Sequence, residues 1–420
     1  MQKLGKQGSA MFINSLCRNQ SQTSFRAGHT SLFSDYDKTF FQASQNAVKN
    51  IRNPENASQI EDAKYNFGIF NDFLSKIRPK FTFTLTSGRN LPEFQNNVFT
   101  FEQNGIAHPL PDRFVSRDGG DNFALVPEAA AIIDKFKKLN PNPDEYSNFV
   151  HKSRLYLPDT ITYQKREAAK AFNWKYEALK HRIKRFCEHK TGNELVYAPT
   201  NNSSDYNFKI TYRDAGRPKN YVVKEDDGKL FIGLKAQTPE IANALAQNLN
   251  KHRANNELGD FITEVDGRRL KIKPNVQPVY SKLSDPLAAL KKAIESDDLI
   301  IVSGDSSNDV EMLNLKNYIK GNITREKIKN TPVVSIIVDN GSGGNGEALE
   351  SLKRTLPSFN DDGMLRYIYV SRNGGDVATL TDAVKLAIKS YARENPKYAK
   401  ALSEKISYEF ARELGVNSTK

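Results

Sequence analysis

The stretch Thr30-Ser31-Leu32-Phe33-Ser34-Asp35-Tyr36-Asp37-Lys38-Thr39 decides how this chain is read. Thr30–Ser34 reads as a strand, and two carboxylates two residues apart follow its end. In an open parallel sheet, ligands bind outside the carboxyl ends of the strands. If the chain leaves the strand there, Asp35 and Asp37 both face one ligand. One carboxylate in such a place can act as a nucleophile and form an aspartyl-phosphate. A second can protonate the leaving oxygen and later activate water. The same letters also suit an Asp-containing turn with Thr39 capping the next segment, so the weight falls on what accompanies them.

Three further segments accompany them, each after a predicted strand or opening a helix. Phe81–Thr86 reads as a strand that runs into Leu85-Thr86-Ser87-Gly88-Arg89. A hydroxyl followed by glycine and a basic residue can hold a phosphate oxygen, which makes Ser87 and Gly88 candidates. Alone, this is also an ordinary strand–turn junction. Lys282, in Tyr280-Ser281-Lys282, matters if it points at an anion and at Asp35. The apolar strand Leu299–Val302 leads into Ser303-Gly304-Asp305-Ser306-Ser307-Asn308-Asp309. Carboxylates beside an anionic substrate suit Mg²⁺, which takes oxygen ligands and bridges to phosphate. Ser306 and Asp309 also fit a helix-capping box ahead of Val310 and Leu313, and capping and metal binding can coexist.

In this order the four segments resemble the motif set of the haloacid dehalogenase-like hydrolases. The long insert between the second and third resembles the C2 type of cap. Arg269–Pro274 followed by Ser281-Lys282, and Pro111–Val115 before Asp118-Gly119-Gly120, resemble the Cof-type and sucrose-phosphate phosphatase-like branch. The resemblance spans about residues 31–390. It implies that Asp35 is the nucleophile and Asp37 the general acid/base, with the Asp37 backbone carbonyl on the metal. It implies that Ser87 and Lys282 hold the phosphoryl group, Lys282 also restraining Asp35. Asp305 would ligate Mg²⁺, with Asp309 and Asn308 supporting the metal site. The chain departs from the pattern at Lys38, where many relatives have glycine, and at the bulky Phe40 and Phe41.

The expected architecture is α/β: a doubly wound, mostly parallel Rossmannoid core with an inserted α+β C2-type cap. Residues 1–30 form an N-terminal extension, 31–123 and 281–420 a discontinuous core, and 124–280 the cap. A length of 420 residues suits two or three domains. In the core, a helix at Ile60–Ile77 turns Phe67, Phe70, Phe73 and Leu74 to one face. The cap opens with a helix at Pro127–Leu139 and a loop over NPNPDEYSN. Next comes a long basic helix at about Tyr163–His189. Strands follow at Leu195–Ala198, Phe208–Tyr212, Tyr221–Lys224, Leu230–Leu234, Phe261–Val265 and Arg269–Ile272. The helix Thr238–Asn250 lies among them. Strands Val333–Val338 and Tyr367–Val370 and helices Thr379–Arg393 and Tyr398–Leu414 complete the core.

Composition narrows the function classes. Two cysteines, Cys17 and Cys187, exclude a disulfide scaffold and a multi-cysteine metal site. Six histidines show no HExxH and no HxH pair, so any metal chemistry is oxygen-based. No apolar run approaches the ~20 residues of a membrane span. The net charge is +12, of which Lys3, Lys6, Arg18 and Arg26 contribute four in an acid-free segment, residues 1–34. The remainder is modest, which weakens a nucleic-acid reading. The segment 1–30 suits a plain tail, an organelle transit peptide or a bacterial export signal, with cytoplasmic residence as the default. Gly341–Glu347 lacks the lysine of a P-loop and carries Glu347 in its place, so it reads as a turn. The basic helix reads as a cap helix with one buried aromatic face, though it could meet a protein partner or steer anions.

The expected function is Mg²⁺-dependent hydrolysis of a small phosphorylated metabolite such as a sugar phosphate. Two alternatives stand beside it. One is a weakly active or inactive binding protein, such as an exported effector. The other is a phosphomutase, which passes the phosphoryl group to a sugar hydroxyl.

Overall fold

The computed structural model describes residues 28–41, 45–116, 119–139, 143–162, 175–190, 195–199, 207–214, 217–225, 232–235, 239–255, 257–266, 269–275, 282–306, 309–315, 332–339, 367–371 and 375–416. Asn308, the Gly-rich stretch 340–346, residues 1–27 and the first part of the basic helix lie outside them. The chain forms two compact units, one reaching to Thr162 and resuming at Ser281, the other Tyr163–Tyr280.

The larger unit is built on one eight-stranded sheet. Its strands are β1 (Thr30–Asp35), β2 (Phe81–Thr86), β3 (Arg113–Ser116), β4 (Asp121–Leu125), β5 (Tyr156–Pro158), β12 (Leu299–Gly304), β13 (Val333–Val338) and β14 (Tyr367–Val370), numbered through the whole chain. The order across the sheet is β14-β13-β12-β1-β2-β3-β4-β5. From β14 to β3 every pairing is parallel. The chain winds outward from β1 in both directions, so the order reverses between β1 and β12. That reversal is the crevice where open α/β sheets bind ligands.

Both faces of this sheet are covered, and the strand sequences show why. Leu32 joins one apolar core and its neighbour Phe33 another, as do Ile301 and Ile300. Consecutive strand residues point to opposite faces, so β12 and β13, buried on both, are mainly apolar, whereas β1 and β2 also bury Thr30, Ser31, Ser34, Thr84 and Thr86. One face meets the helix Ala57–Ile77, which buries Ile60, Ala63, Phe67, Phe70, Phe73, Leu74 and Ile77 at helical spacing. The other meets the helix Ser284–Ser296 through Leu287, Leu290 and Ala293. Phe40 and Phe41 pack into an aromatic box with Phe67, Phe70, Phe83 and Phe101, at centroid distances of 5.0 to 6.3 Å.

Several expectations are corrected. Residues 124–162 belong to the sheet unit and not to the insert, which begins at Tyr163. β4 and β5 extend the parallel sheet antiparallel beyond β3. The helix Ala129–Leu139 packs on the helix Leu91–Gln103, with Phe99 and Phe136 rings 4.7 Å apart. The stretch expected as a Pro/Asn-rich loop contains the helix Pro143–Lys152, whose proline stands in the first turn, where its missing N–H costs nothing. The helix Leu91–Gln103 starts with an Asn90/Glu93 capping box and has Pro92 in its first turn. The C-terminal helix expected at Tyr398–Leu414 is two helices, Pro396–Ser403 and Tyr408–Glu413. The second is capped by Ser407, whose hydroxyl accepts from the Phe410 N–H at 3.2 Å. The N-terminal boundary moves as well. His29 is tied into the core by its N–H to Asp298 and its ring to Thr82, so the fold begins before Thr30.

The second unit has one antiparallel sheet. Its strands are β6 (Leu195–Pro199), β7 (Asn207–Asp214), β8 (Arg217–Glu225), β9 (Ile232–Lys235), β10 (Phe261–Asp266) and β11 (Arg269–Pro274), in the order β10-β11-β9-β8-β7-β6. The helices Tyr176–Lys190 and Pro239–Ala254 supply Leu179, Ile183, Phe186, Leu245 and Leu249 to a separate core with Phe261, Leu270 and Ile272. This is an α+β unit with its own apolar centre.

Candidate active site

At the end of β1 the chain folds into a tight loop. The Tyr36 N–H donates to the Thr86 carbonyl (2.9 Å), Phe40 N–H to the Asp35 carbonyl (3.2 Å), and Phe41 N–H to the Tyr36 carbonyl (2.8 Å). Tyr36 is fully buried and anchors the loop in the aromatic core. Its hydroxyl lies 3.2 Å from His108 Nε2 and accepts from Asn97 at 3.3 Å. His108 Nδ1 lies 2.9 Å from the Pro109 carbonyl, which can only accept. Nδ1 therefore carries the ring proton, and Nε2 accepts from the Tyr36 hydroxyl. Burial in this aromatic setting holds the imidazole pKa down at about 4, so it is neutral at pH 7.

Asp35, Asp305 and Asp309 converge at the switch point between β1 and β12. One oxygen from each lies within 4.8 Å of the others, and all three residues are buried. Lys282 joins two of them: its Nζ donates to Asp35 Oδ1 at 2.7 Å and to Asp309 Oδ1 at 2.8 Å. The other oxygen of Asp309 accepts from the Asp305 N–H (3.3 Å), the Ser306 N–H (3.2 Å) and the Ser306 hydroxyl (3.0 Å). Asp309 stands at the N-cap of the helix Val310–Leu313 but makes no side-chain capping bond there. Its carboxylate turns back to Ser306 and Lys282 instead. Asp305 accepts from the Thr39 hydroxyl at 3.0 Å.

Gly304 is what lets Asp309 come this close. A Cβ on Gly304 would lie 2.4 Å from the Asp309 Cβ and 2.8 Å from its Cγ, inside any real contact. The glycine before Asp305 is therefore a steric requirement of the carboxylate cluster.

The cluster is short of positive charge. Burial first, then the nearby Asp309 and Asp305, push the Asp35 carboxyl well above the usual range, and the Lys282 ion pair only partly opposes this. Asp305 is raised to about 6, by burial and by Asp309, against the pull of Thr39, Lys282 and Lys38. Three buried carboxylates sharing one ammonium form a set of hard oxygen donors suited to a divalent cation such as Mg²⁺. A cation there would offset the repulsion that raises these carboxyls.

Asp37 is placed apart from this trio. Its carboxylate pairs side-on with Arg89, whose Nε lies 2.9 and 2.7 Å from the two oxygens and whose Nη2 also bonds Oδ1. The Ser87 hydroxyl donates to Asp37 Oδ2 at 3.3 Å and accepts the Arg89 N–H at 3.1 Å. The Arg89 guanidinium also lies over the Tyr36 ring, 5.7 Å from its centroid. So the carboxylate of Asp37 is not among the clustered oxygens, and Asn308 lies outside the described residues. Ser87 is buried and reaches Asp37, while Gly88 is exposed in the turn after β2. Sequence reasoning named neither Thr39 nor Arg89 as a site residue. Both stood within the motifs quoted, as the hydroxyl of DxDxT and the cation of S-G-R.

No family model and no curated protein matches this chain. Solved structures do align. A trehalose-6-phosphate phosphatase of Aspergillus fumigatus aligns over 79% of this chain and 88% of its own, at 12% identity and TM-score 0.36. A second crystal form gives 82% and 97%, at 12% identity and TM-score 0.35. The protein yhjK of Bacillus subtilis, a haloacid dehalogenase-like hydrolase, aligns over 91% and 99%, at 10% identity and TM-score 0.36. Likenesses this distant carry no argument about activity, which rests on the site itself.

Proposed function

We propose that this chain is a Mg²⁺-dependent phosphatase of the haloacid dehalogenase-like type, acting on a small phosphomonoester such as a sugar phosphate. The observation that carries the reading is the Lys282 bridge between Asp35 and Asp309, beside Asp305, at the switch point of the sheet. A structural role alone does not explain burying three carboxylates around one ammonium, because desolvating them is costly.

Asp35, Asp305 and Asp309 would hold the cation, which supplies charge neutralisation for an anionic substrate. In the first step an Asp35 oxygen attacks phosphorus and the P–O bond to the leaving group breaks. The proton on the Asp37 carboxyl passes to the leaving oxygen. In the second step water attacks the phosphorus of the aspartyl-phosphate and gives its proton to Asp37. Inorganic phosphate leaves and Asp35 is regenerated. Lys282 holds Asp35 in line and offsets charge on the phosphoryl oxygens, the main demand in phosphoryl transfer. Ser87 orients Asp37 and offers a hydroxyl beside the phosphoryl position. The Arg89 pair fixes the position of the Asp37 carboxyl group.

The test is phosphate release from a panel of sugar and nucleotide monophosphates, with Mg²⁺ and with chelator. Turnover that requires Mg²⁺ and disappears in Asp305→Ala supports the reading. Isomerised sugar phosphate without free phosphate would point to a mutase. Neither turnover nor Mg²⁺ binding would point to a binding protein.

A further inference from the structure

Lys38 occupies a position that its backbone does not favour. Its φ is +66°, the left-handed region where a side chain crowds the following carbonyl and glycine is the usual residue. The loop imposes this geometry, with the Lys38 N–H on the Phe41 carbonyl at 2.7 Å and the neighbouring turn bonds of Phe40 and Phe41. Among the described residues, the only other non-glycine with positive φ is Asp297, at a helix C-cap. Asp is among the few residues suited to that conformation. A lysine is not, so the reason for it lies in its side chain.

That side chain is exposed and makes no ion pair or hydrogen bond among the described residues. Yet it is close enough for its charge to act on Asp305. The other cations at the site are committed: Arg89 to Asp37, and Lys282 to Asp35 and Asp309. Three carboxylates, Lys282 and one divalent cation sum to zero charge, and Arg89 and Asp37 cancel. The dianionic phosphoryl group of a monoester therefore meets a neutral set, and each further negative charge on the substrate adds to the demand for the one site cation without an ion pair among the described residues, Lys38.

We propose that Lys38 is a specificity-determining residue that selects phosphomonoesters whose leaving group carries a second anionic group, a carboxylate or another phosphate. This rests on the phosphatase reading above and names the substrate class for that site. The lysine sits in the loop between Thr39, whose hydroxyl bonds Asp305, and Asp37, the residue that would protonate the leaving oxygen under the proposed function. The leaving group, not the phosphoryl group, is what it would meet.

The experiment compares phosphoglycolate with ethyl phosphate, which differ by one carboxylate. With Mg²⁺ and the full chain, kcat/KM for each is measured for the unmodified protein, Lys38→Asn and Lys38→Arg. Asparagine tolerates left-handed backbone and removes the charge. The preference for phosphoglycolate should fall about fivefold in Lys38→Asn, the scale of an exposed ion pair, and return in Lys38→Arg. The same preference in the unmodified protein should shrink at high salt. An equal preference in Lys38→Asn overturns the proposal. Lys38→Gly should raise the melting temperature by about 2 °C. A lower melting temperature would remove the strain argument. If the unmodified protein hydrolyses neither ester nor any of the panel, the phosphatase reading fails. Calorimetric binding of the two esters then decides on Lys38 alone. A preference lost in Lys38→Asn upholds its role in anion selection, and no preference overturns it.

Discussion

Replacing Lys282 with methionine keeps the length of the side chain and removes its charge. Lys282 donates at 2.7 and 2.8 Å to two carboxylates, and all three residues are buried. Removing one partner of such an arrangement strands buried charge and typically costs about 3–5 kcal/mol. Here the carboxyls have an escape. Burial has already raised Asp35 and Asp305, so without Lys282 they take up protons readily and become neutral. The loss should therefore sit at the lower end, about 3 kcal/mol, at about pH 8. The sign with pH follows from linkage. A carboxyl whose folded pKa lies above its unfolded value binds more protons when folded, so stability rises as pH falls between the two values. The penalty in Lys282→Met should thus shrink to about half near pH 5. Calorimetric melting of the full chain with chelator, at several pH values, measures this. The Mg²⁺-loaded variant should recover part of the loss, because a divalent cation takes over the neutralising role. A loss below about 1 kcal/mol at pH 8, or a loss independent of pH, would refute the claim that Lys282 neutralises a buried carboxylate cluster.

Other consequences are equally direct. Gly304→Ala drives a methyl group into Asp309, so it should cost about 1–3 kcal/mol and lower Mg²⁺ affinity about 10–100-fold, read by calorimetric titration. His108 is buried with its pKa held to about 4, below an unfolded value near 6.5. Its folded pKa is depressed, so its contribution is intact above about pH 6.5 and is lost as pH falls toward 4, at up to about 3 kcal/mol. His108→Gln should flatten the loss of stability between pH 7 and pH 5 in urea titrations, and an unchanged slope would show that His108 is not its source. Arg89→Gln removes the side-on clamp from Asp37 and should lower kcat about 10–100-fold, with a smaller effect on KM.

Much of this arrangement was legible because the motif residues hang on strands with simple signatures. β1, β2 and β12 are short runs buried on both faces, and each ends where a polar motif begins. That fixed Asp35, Ser87 and Asp305 at neighbouring strand ends. The insert boundary was not legible. β4 (DNFAL) and β5 (YLP) are too short to show a period, and their membership in the sheet depends on pairing with β3 and with each other. A proline misled at Pro143, because a proline that starts a helix reads like one that breaks it. At the site, spacing indicated that Asp35 and Asp37 could share a ligand but not that Arg89 would claim Asp37. That contact joins residues 52 apart in sequence and depends on the turn after β2 folding over Tyr36. The turn of Asp309 away from its own helix was also hidden, since it follows from the bonds of Ser306 and Lys282.

The central claim is that Asp35 becomes phosphorylated. It is tested most directly by acid-quenching the full chain during turnover with Mg²⁺ and a phosphomonoester, followed by peptide mass spectrometry. The account predicts one phosphoryl group on the peptide bearing Asp35, absent in Asp35→Asn and, with an aryl phosphate whose leaving group needs no proton, accumulating in Asp37→Asn, where the second step lacks its base. Undiminished phosphate release by Asp35→Asn, or turnover with the phosphoryl group on another residue, would contradict it.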